Sequence, residues 1–451
     1  MKKLLCGILC LLMLLGCASA DGYLYSAKGD NGLWGHIDEA GNWVIPPKFD
    51  GAGDFRGNYA LIQQDGREGF ANRDGEIVLL LDEGVEVESG YTGYYYGGRE
   101  TGIWLIYKKA TWKNSLGMEW LEGFFDAQSG VYSGLKWRGV NHRESNSRLI
   151  AVADENRKWG YINRDTGEMV IPPKYDSDYM GSSFYDGYAV VVIMDDEEEI
   201  VQTLLIDETG KEYALPEGIN AADCDIEIGD GLFEVVGANG LHGYCNTSGE
   251  VVIEPQFAYA FEFADGYAEV EFTDGTYGVI DQTGNVVMRT TDSLYADVRQ
   301  GCYVLPTGEH SFTMYSVAGE ELFTLQGENI VWLWPPEENG LCMYGVEKGG
   351  QRLCGWVNMQ GEIISEAKWT FPDDDHPYVY FLSGLQAVYD ADGTKLGGYL
   401  NESGELAIPL QFSFVTQFYG KLAYVSMKQD DGTTQCGYIN QQGEWVYSWT
   451  E

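Results

Sequence analysis

The sequence predicts an all-β fold, a tandem array of about eleven three-stranded antiparallel β-hairpin or meander repeats. First, a turn segment centred on glycine, such as DEAGNWVI or NESGELAI, returns eleven times at separations of 34 to 55 residues. Second, apolar and polar residues alternate after these turns, which is typical of half-buried strands. Third, the chain has 59 glycines, only 12 prolines and 44% hydrophobic residues, a composition that indicates a folded chain rich in tight turns. The eleven turn glycines are Gly41, Gly75, Gly130, Gly167, Gly210, Gly249, Gly284, Gly319, Gly361, Gly404 and Gly443.

The first element in the chain is an export signal over residues 1–20. Two lysines near the start precede an apolar run and then small residues, and this run is too short to span a membrane as a mature helix. LLGC, ending at Cys17, resembles the lipobox of bacterial lipoproteins, in which this cysteine carries the lipid. Ordinary cleavage after Ala20 is the alternative. We therefore expect an exported protein, lipidated at Cys17 and held at the outer face of the membrane or the cell surface, or alternatively secreted.

The next element, the repeat unit, follows over residues 21–451. An Asp or Asn three or four residues before most of the turn glycines is typical of a hairpin turn with a left-handed glycine. An aromatic-Gly-aromatic strand, such as WGY at Trp159, precedes the turn, and a strand such as MVI at Met169 follows it. We expect Pro172 and Pro173 to end the strand pairing, because proline lacks the amide donor. A third strand follows a second turn, as in FYDGYAVVV from Phe184.

These segments resemble WG repeats, a family of β-rich repeats named for the Trp-Gly pair that stands here at Trp34 and Trp159. The full pattern, W-G-[YF]-I-[ND]-x-x-G-x-x-V-I-x-P-x-[FY]-D followed by F-x-x-G-x-A-x-V, is best kept in four units, those around Gly41, Gly167, Gly249 and Gly404. The resemblance implies an interaction scaffold with no defined reaction. Eleven units exceed the four to eight blades of a usual propeller, so the array is either an open curved solenoid or propeller-like rings. We favour the open form.

The widest gap between turns holds an insertion at about residues 82–122, with many aromatic residues among glycines. Exposed aromatic rings on a loop stack on sugars or peptides, and this makes Tyr94, Tyr95, Tyr96 and Trp104 the candidate ligand-binding residues. The alternative, which we favour, is an additional hairpin that turns at YGGRE and packs its aromatic side chains on the array.

Familiar catalytic and metal signatures are missing: there is no HExxH, GxSxG, Walker loop or GxGxxG after a strand. We therefore predict no catalytic residue, no metal and no cofactor. His36 occupies the slot of Tyr161 in the repeat and His242 that of Trp159, so both are expected to replace aromatic residues. DDDHP from Asp373 is the one local cluster of carboxylates with an imidazole, and most such loops are simply solvated.

Six cysteines follow the signal segment, all of them after residue 220 and without CxxC spacing, and we expect most of them to be buried free thiols. They are Cys224, Cys245, Cys302, Cys342, Cys354 and Cys436.

The formal net charge of −42, from 70 acidic and 28 basic residues, excludes nucleic acid as a partner and suits cationic groups.

Taken together, these features predict a non-enzymatic binding scaffold at the cell envelope. Its partner is an envelope or extracellular protein or polysaccharide, and its contact with the membrane is through the lipid anchor only. The alternative is a cell-surface glycan-degrading hydrolase whose carboxylate pair is assembled by the fold.

Overall fold

The computed structural model describes residues 22–88, 102–109, 120–141, 147–177, 181–197, 199–221, 228–291, 298–370, 381–391 and 395–451. In these ranges the chain is all-β, as the sequence predicts, and its 38 strands form eleven successive antiparallel units of three or four strands. The described ranges also contain a 3-10 turn at Leu382–Gly384, but no helix long and apolar enough to cross a membrane.

The strands of each unit follow one another in sequence and pair with their neighbours. Units 1 to 3 contain β1 (Tyr25–Lys28), β2 (Trp34–Ile37) and β3 (Trp43–Phe49); β4 (Gly51–Arg56), β5 (Tyr59–Gln64), β6 (Arg67–Asn72) and β7 (Ile77–Leu80); and β8 (Val85–Val87), β9 (Ile103–Lys109) and β10 (Trp120–Asp126). Units 4 to 6 contain β11 (Gly139–Val140), β12 (Leu149–Ala153), β13 (Trp159–Asn163) and β14 (Met169–Tyr175); β15 (Tyr188–Met194), β16 (Ile200–Asp207) and β17 (Glu212–Ala214); and β18 (Ile219–Ala221), β19 (Leu232–Gly237), β20 (His242–Asn246) and β21 (Val251–Ala260).

The remaining five units have the same order. Units 7 to 9 contain β22 (Tyr267–Phe272), β23 (Tyr277–Asp281) and β24 (Val286–Thr290); β25 (Cys302–Gly308), β26 (Ser311–Ser316) and β27 (Glu321–Gln326); and β28 (Ile330–Leu333), β29 (Leu341–Lys348), β30 (Gln351–Asn358) and β31 (Ile363–Thr370). Units 10 and 11 contain β32 (Leu385–Asp390), β33 (Gly397–Asn401) and β34 (Leu406–Phe412); and β35 (Phe414–Val415), β36 (Leu422–Lys428), β37 (Thr434–Asn440) and β38 (Trp445–Thr450). The long strands β21 and β31 pair on both sides, so units 6 and 7, like units 9 and 10, share one seven-stranded sheet.

The turns lie where the sequence predicts them. All eleven turn glycines have φ between 71° and 83°, and each amide donates to a carbonyl three or four residues earlier. In unit 1, for example, the Gly41 amide donates to the Asp38 carbonyl at 3.0 Å. The Asp38 carboxylate accepts from the amides of Ala40 and Asn42 at 2.9 and 2.8 Å. This acidic side chain therefore replaces water at the turn's free amide donors.

The glycine of the Trp-Gly pair permits a close approach between the second and third strands of a unit. A Cβ on Gly160 would stand 2.4 Å from the carbonyl oxygen of Ile171, which no side chain tolerates. The prediction that Pro172 and Pro173 end the pairing is wrong, because β14 continues through them to Tyr175, opposite Trp159. The strand pairing shifts register between the pairs Trp159–Tyr175 and Tyr161–Ile171. The two prolines therefore lie on a bulge, where no amide donor is needed.

Each unit buries one sheet face against the preceding unit and the other face against the next. Between units 4 and 5, for example, Tyr161 and Ile171 pack with Val191, Leu204 and Ile206. Such clusters join every consecutive pair of units, so the array has a continuous apolar core.

A further cluster joins unit 11 to unit 1 and closes the ring. In this seam, Tyr25 of unit 1 packs against Leu422 and Tyr438 of unit 11, with a ring centroid distance of 5.2 Å between the two tyrosines. The Tyr25 hydroxyl donates to the Tyr419 carbonyl at 2.7 Å, and the Tyr447 hydroxyl donates to the Lys28 carbonyl at 3.0 Å. The preference for an open array is therefore wrong: the contacts at the seam make one closed, propeller-like ring.

Candidate functional site

The candidate residues of the insertion are only partly within the described ranges. Tyr94, Tyr95 and Tyr96 lie outside them, as does Cys17. Trp104 is 3% exposed and lies in the core between units 2 and 3, with its ring centroid 5.0 Å from Phe70. The Arg56 guanidinium lies over the same indole at 5.4 Å. In this arrangement Trp104 is a core residue and not an exposed stacking platform.

Two strands of the insertion pair with each other, as expected for the additional hairpin favoured in the sequence analysis, but the predicted turn at YGGRE lies outside the described residues. Strand β8 pairs antiparallel with β9, with Val85 opposite Lys108 and Val87 opposite Ile106. Strand β10 then pairs along the other side of β9. The insertion therefore supplies two strands of unit 3.

The opposite face of this hairpin carries an aromatic and acidic surface. Glu86, Tyr107, Glu122 and Trp137 lie directly opposite one another on adjacent chain segments, so they form one row across the sheet. The Tyr107 hydroxyl donates to Glu86 Oε2 at 3.0 Å. Trp120 is 38% exposed, and its ring meets that of Tyr107 edge-on at 5.2 Å. We call Glu86, Tyr107, Trp120 and Glu122 the unit 3 surface.

Burial changes the ionisation of this surface. Desolvation raises the pKa of Glu122 to about 7, although its carboxylate accepts the Val140 amide at 2.9 Å, and the nearby charge of Glu88 raises it further. Burial and the hydrogen bond to Glu86 also raise the pKa of the Tyr107 phenol. The surface therefore combines two aromatic rings with a carboxyl, that of Glu122, which burial favours in its protonated form.

Stacking on aromatic rings and hydrogen bonds to carboxylates are the contacts that such a surface offers a ligand. Aromatic rings with adjacent carboxylates suit the ring faces and hydroxyls of a sugar, and equally the cationic side chains of a protein. Among the described residues there is no group of three or more His, Cys, Asp or Glu placed to hold a metal ion.

His36 and His242 occupy the aromatic positions of the repeat that the sequence predicts for them. His36 Nε2 donates to the Gly53 carbonyl at 2.9 Å, and its ring meets Phe55 at 4.7 Å. In unit 4 the Tyr161 hydroxyl donates to the Ser182 carbonyl at 2.9 Å, and its ring meets Phe184 at 4.8 Å. His242 lies opposite Phe257 just as Trp159 lies opposite Tyr175.

The described cysteines are buried free thiols, as expected. Burial raises the pKa of Cys342 to about 12 and that of Cys245 to about 11, so neither is a reactive thiolate near neutral pH. Cys224 and the DDDHP segment lie outside the described residues.

Sequence reasoning missed Tyr107 as a candidate, although strand alternation was available as a signal. In IWLIYKK over β9, a period of two places Trp104 and Ile106 on one face and Leu105 and Tyr107 on the other. The first pair packs against unit 2, and the second lies on the face towards unit 4.

Comparison with known proteins identifies the repeat in part of the chain. Four segments, residues 34–67, 159–195, 243–275 and 398–429, match the family model described as WG containing repeat. These matches begin in units 1, 4, 6 and 10, the four units in which the sequence pattern is fullest. No curated protein sequence matches the chain.

Several solved structures are similar to this chain over most of its length. One, described as the eukaryotic initiation factor, has 10% identity and a TM-score of 0.41, with coverage of 76% of this chain and 95% of that chain. BamB from Moraxella catarrhalis has 11% identity and a TM-score of 0.27, with coverage of 85% and 94%. AztD from Citrobacter koseri has 11% identity and a TM-score of 0.30, with coverage of 75% and 93%. We draw no functional conclusion from these similarities.

Proposed function

We propose that this chain, four segments of which match the WG containing repeat, is a non-enzymatic binding scaffold of the cell envelope. The unit 3 surface is its binding site, and the ligand is an extracytoplasmic protein or polysaccharide. One observation carries the proposal: Trp120 and Tyr107 present an edge-on aromatic pair next to Glu86 and Glu122, with Trp120 38% exposed.

Energetic considerations support binding at this surface. An exposed indole that stacks on a ligand contributes on the order of 1 kcal/mol or more, which is several-fold in affinity. The carboxylate of Glu86 accepts hydrogen bonds from hydroxyl or ammonium groups. The chain's net charge of −42 repels anionic polymers and favours neutral or cationic ligands.

Replacing Trp120 by alanine tests the binding site. We expect the variant to lose retention at least several-fold on whichever of chitin, cellulose, peptidoglycan or an immobilised basic protein retains the wild type. Its thermal midpoint should change little, because the ring is 38% exposed. Trp104→Ala is the matched control. Loss of this indole, which is 3% exposed, should lower the thermal midpoint, but the folded variant should be retained as well as the wild type. Unchanged retention of Trp120→Ala would refute the site.

A hydrolase is the second candidate, and one observation favours it. The pKa of Glu122 is raised to about 7, so this carboxyl can carry the proton that a general acid donates near neutral pH. The charge of a second carboxylate, Glu88, contributes to this raised pKa. Release of reducing sugar from any of these polysaccharides, abolished by Glu122→Gln, would support the enzyme. Absence of turnover at pH 5 to 8 would leave the binding function.

The anchor at Cys17 belongs to the same proposal. Gly22, five positions after this cysteine, is the first described residue, and Tyr23 lies against Gly420 at the seam. A lipid on Cys17 would therefore hold the ring close to the membrane. We expect growth with labelled palmitate to label the protein and Cys17→Ala to abolish the label. Secretion of unlabelled wild-type protein that begins at Asp21 would contradict the anchor.

A further inference from the structure

We propose that a second surface, on the sheet shared by units 6 and 7, binds the lysine or arginine side chains of a basic peptide. We call it the Tyr259 surface and define it by Glu234, His242, Tyr259, Phe261 and Glu271. It lies on different units from the unit 3 surface, so the proposal does not depend on the function proposed above.

Two neighbouring aromatic rings form the centre of this surface. Tyr259 and Phe261 are 49% and 50% exposed, and their ring centroids are 5.1 Å apart at an interplanar angle of 65°. Tyr259 lies near the end of the long strand β21, beyond the buried Phe257, where the pairing with β22 changes register, and Phe261 directly follows the strand. Phe257 is buried and packs the strand against the core, whereas the rings of Tyr259 and Phe261 after it are exposed to solvent.

Carboxylates flank the two rings on both sides. Glu271 lies directly opposite Tyr259 on β22, and cross-strand neighbours of this kind present their side chains on the same face. On the other side, the His242 ring is 5.2 Å from that of Tyr259, and its Nδ1 contacts the Glu234 carboxylate. A cationic side chain is attracted both to the face of an aromatic ring and to a carboxylate, and this surface provides the two side by side.

In three other units a lysine lies over the aromatic residue that corresponds to Phe257, two positions before Tyr259 in the repeat. Lys48, Lys174 and Lys368 lie over the rings of the residues that follow them, at 5.3, 4.9 and 4.9 Å. In unit 6 the corresponding residue is Gln256, which is neutral. Arg289, on unit 7, lies over Phe272 and is paired with Asp274 at 2.6 Å. In the part of the chain that the structure describes, no lysine or arginine lies over Tyr259 or Phe261.

Charge favours a basic peptide over a neutral sugar as the occupant. Within the described residues, Glu271 has no ion-pair partner, and the whole chain carries a formal charge of −42. Attraction between exposed charges weakens as salt shortens the screening length, whereas stacking of a neutral sugar on aromatic rings does not depend strongly on salt. Salt dependence therefore separates the two ligands.

The test uses the full mature chain and a fluorescent octalysine peptide, with binding followed by anisotropy at 50 and 500 mM salt. The double variant Tyr259→Ala, Phe261→Ala should weaken binding at least fivefold at low salt, and Glu271→Gln about twofold. Wild-type binding should fall steeply at high salt. The fully acetylated peptide should not bind, because acetylation removes the charges.

Phe414→Ala is the matched control. Phe414 follows Phe412 as Tyr259 follows Phe257 and is 45% exposed, but Ser426 and not a glutamate lies opposite it. This variant should bind octalysine like the wild type, and all variants should keep the wild-type thermal midpoint. Equal binding of octalysine by the double variant would overturn the proposal, since attraction would then come from the net charge alone. Salt-independent binding of chitohexaose that only the double variant loses would assign the surface to a glycan instead.

Discussion

Glu122 lies between Tyr107 and Trp137 in a row across unit 3, and burial raises its carboxyl pKa from 4.5 to about 7. A raised pKa means that the folded state holds the proton more tightly than the unfolded state. The carboxyl therefore favours folding fully below about pH 4.5, and this contribution is lost as the pH rises through 7. At alkaline pH the folded protein keeps a poorly solvated charge.

Glu122→Gln should remove this pH dependence. The amide oxygen still accepts the Val140 hydrogen bond, while the buried charge is gone. We expect the variant to be more stable than the wild type at pH 8 by about 1–3 kcal/mol and to show little gain at pH 4.5, measured by urea unfolding at both values. Glu83→Gln, an exposed glutamate near the same hairpin, changes the net charge equally and should have no such effect. An equal difference between Glu122→Gln and the wild type at both pH values would contradict the burial of this charge.

At the level of single residues, the sequence predicts which position of the repeat a residue occupies better than it predicts whether the strand face that carries it is buried. His36 and His242 follow from alignment with Tyr161 and Trp159, since a repeat imposes one geometry on equivalent positions. The burial of Trp104 could not be predicted from its position in an aromatic insertion. Which face of β9 is covered depends on units 2 and 4, and these contacts are made only in the folded ring.

The turns of the repeat also serve as contacts between units. A Cβ on Gly404 of unit 10 would stand 2.1 Å from the Ile364 carbonyl of unit 9, and one on Gly41 of unit 1 would stand 2.7 Å from the Val446 carbonyl of unit 11. In these two cases the turn approaches the last strand of the unit before it. The same contact recurs at the seam, and this shows that unit 1 follows unit 11 in the ring as unit 10 follows unit 9.

Gly404→Ala should be more destabilising than Gly432→Ala. Both glycines have positive φ, 76° and 89°, so each alanine costs about 1 kcal/mol in backbone strain. Only at Gly404 does the added methyl group also meet the neighbouring unit, because Gly432 has nothing within 4 Å of its Cβ position. We expect total losses of about 2–4 kcal/mol and about 1 kcal/mol, respectively, from chemical unfolding. Equal losses would show that the turn does not dock on unit 9.

Elements marked by a turn could be predicted, and those without one could not. The eleven hairpins follow from Asx and glycine chemistry, which acts within a few residues. Strands β4 and β35 have no turn before them, because the chain enters each from the third strand of the preceding unit with a single residue between the two strands. The prolines were misjudged because a bulge removes the need for their amides.

Closure of the ring is a property of the whole molecule. The seam uses residues far apart in sequence, such as Tyr25 and Tyr438, together with the pairs Trp34–Trp449 and Trp43–Tyr447 at 5.5 and 5.2 Å. The same repeat pattern is compatible with open and closed arrays, since it fixes the contact between neighbours but not the small rotation per unit. The number of units was therefore predictable, and the form of the array was not.

The most direct test of the closed ring is zero-length cross-linking with a carbodiimide, followed by mass spectrometry of the monomer. Lys28 Nζ is 3.4 Å from Glu451 Oε1, and Lys421 contacts Glu39, so both pairs bridge units 1 and 11. Lys174 and Glu212, 2.6 Å apart on neighbouring units, serve as the positive control. A mixture of isotope-labelled and unlabelled protein identifies cross-links between molecules. The closed ring predicts both seam cross-links within single molecules at low concentration. Formation of the control cross-link without either seam cross-link, or seam cross-links only between labelled and unlabelled chains, would contradict it.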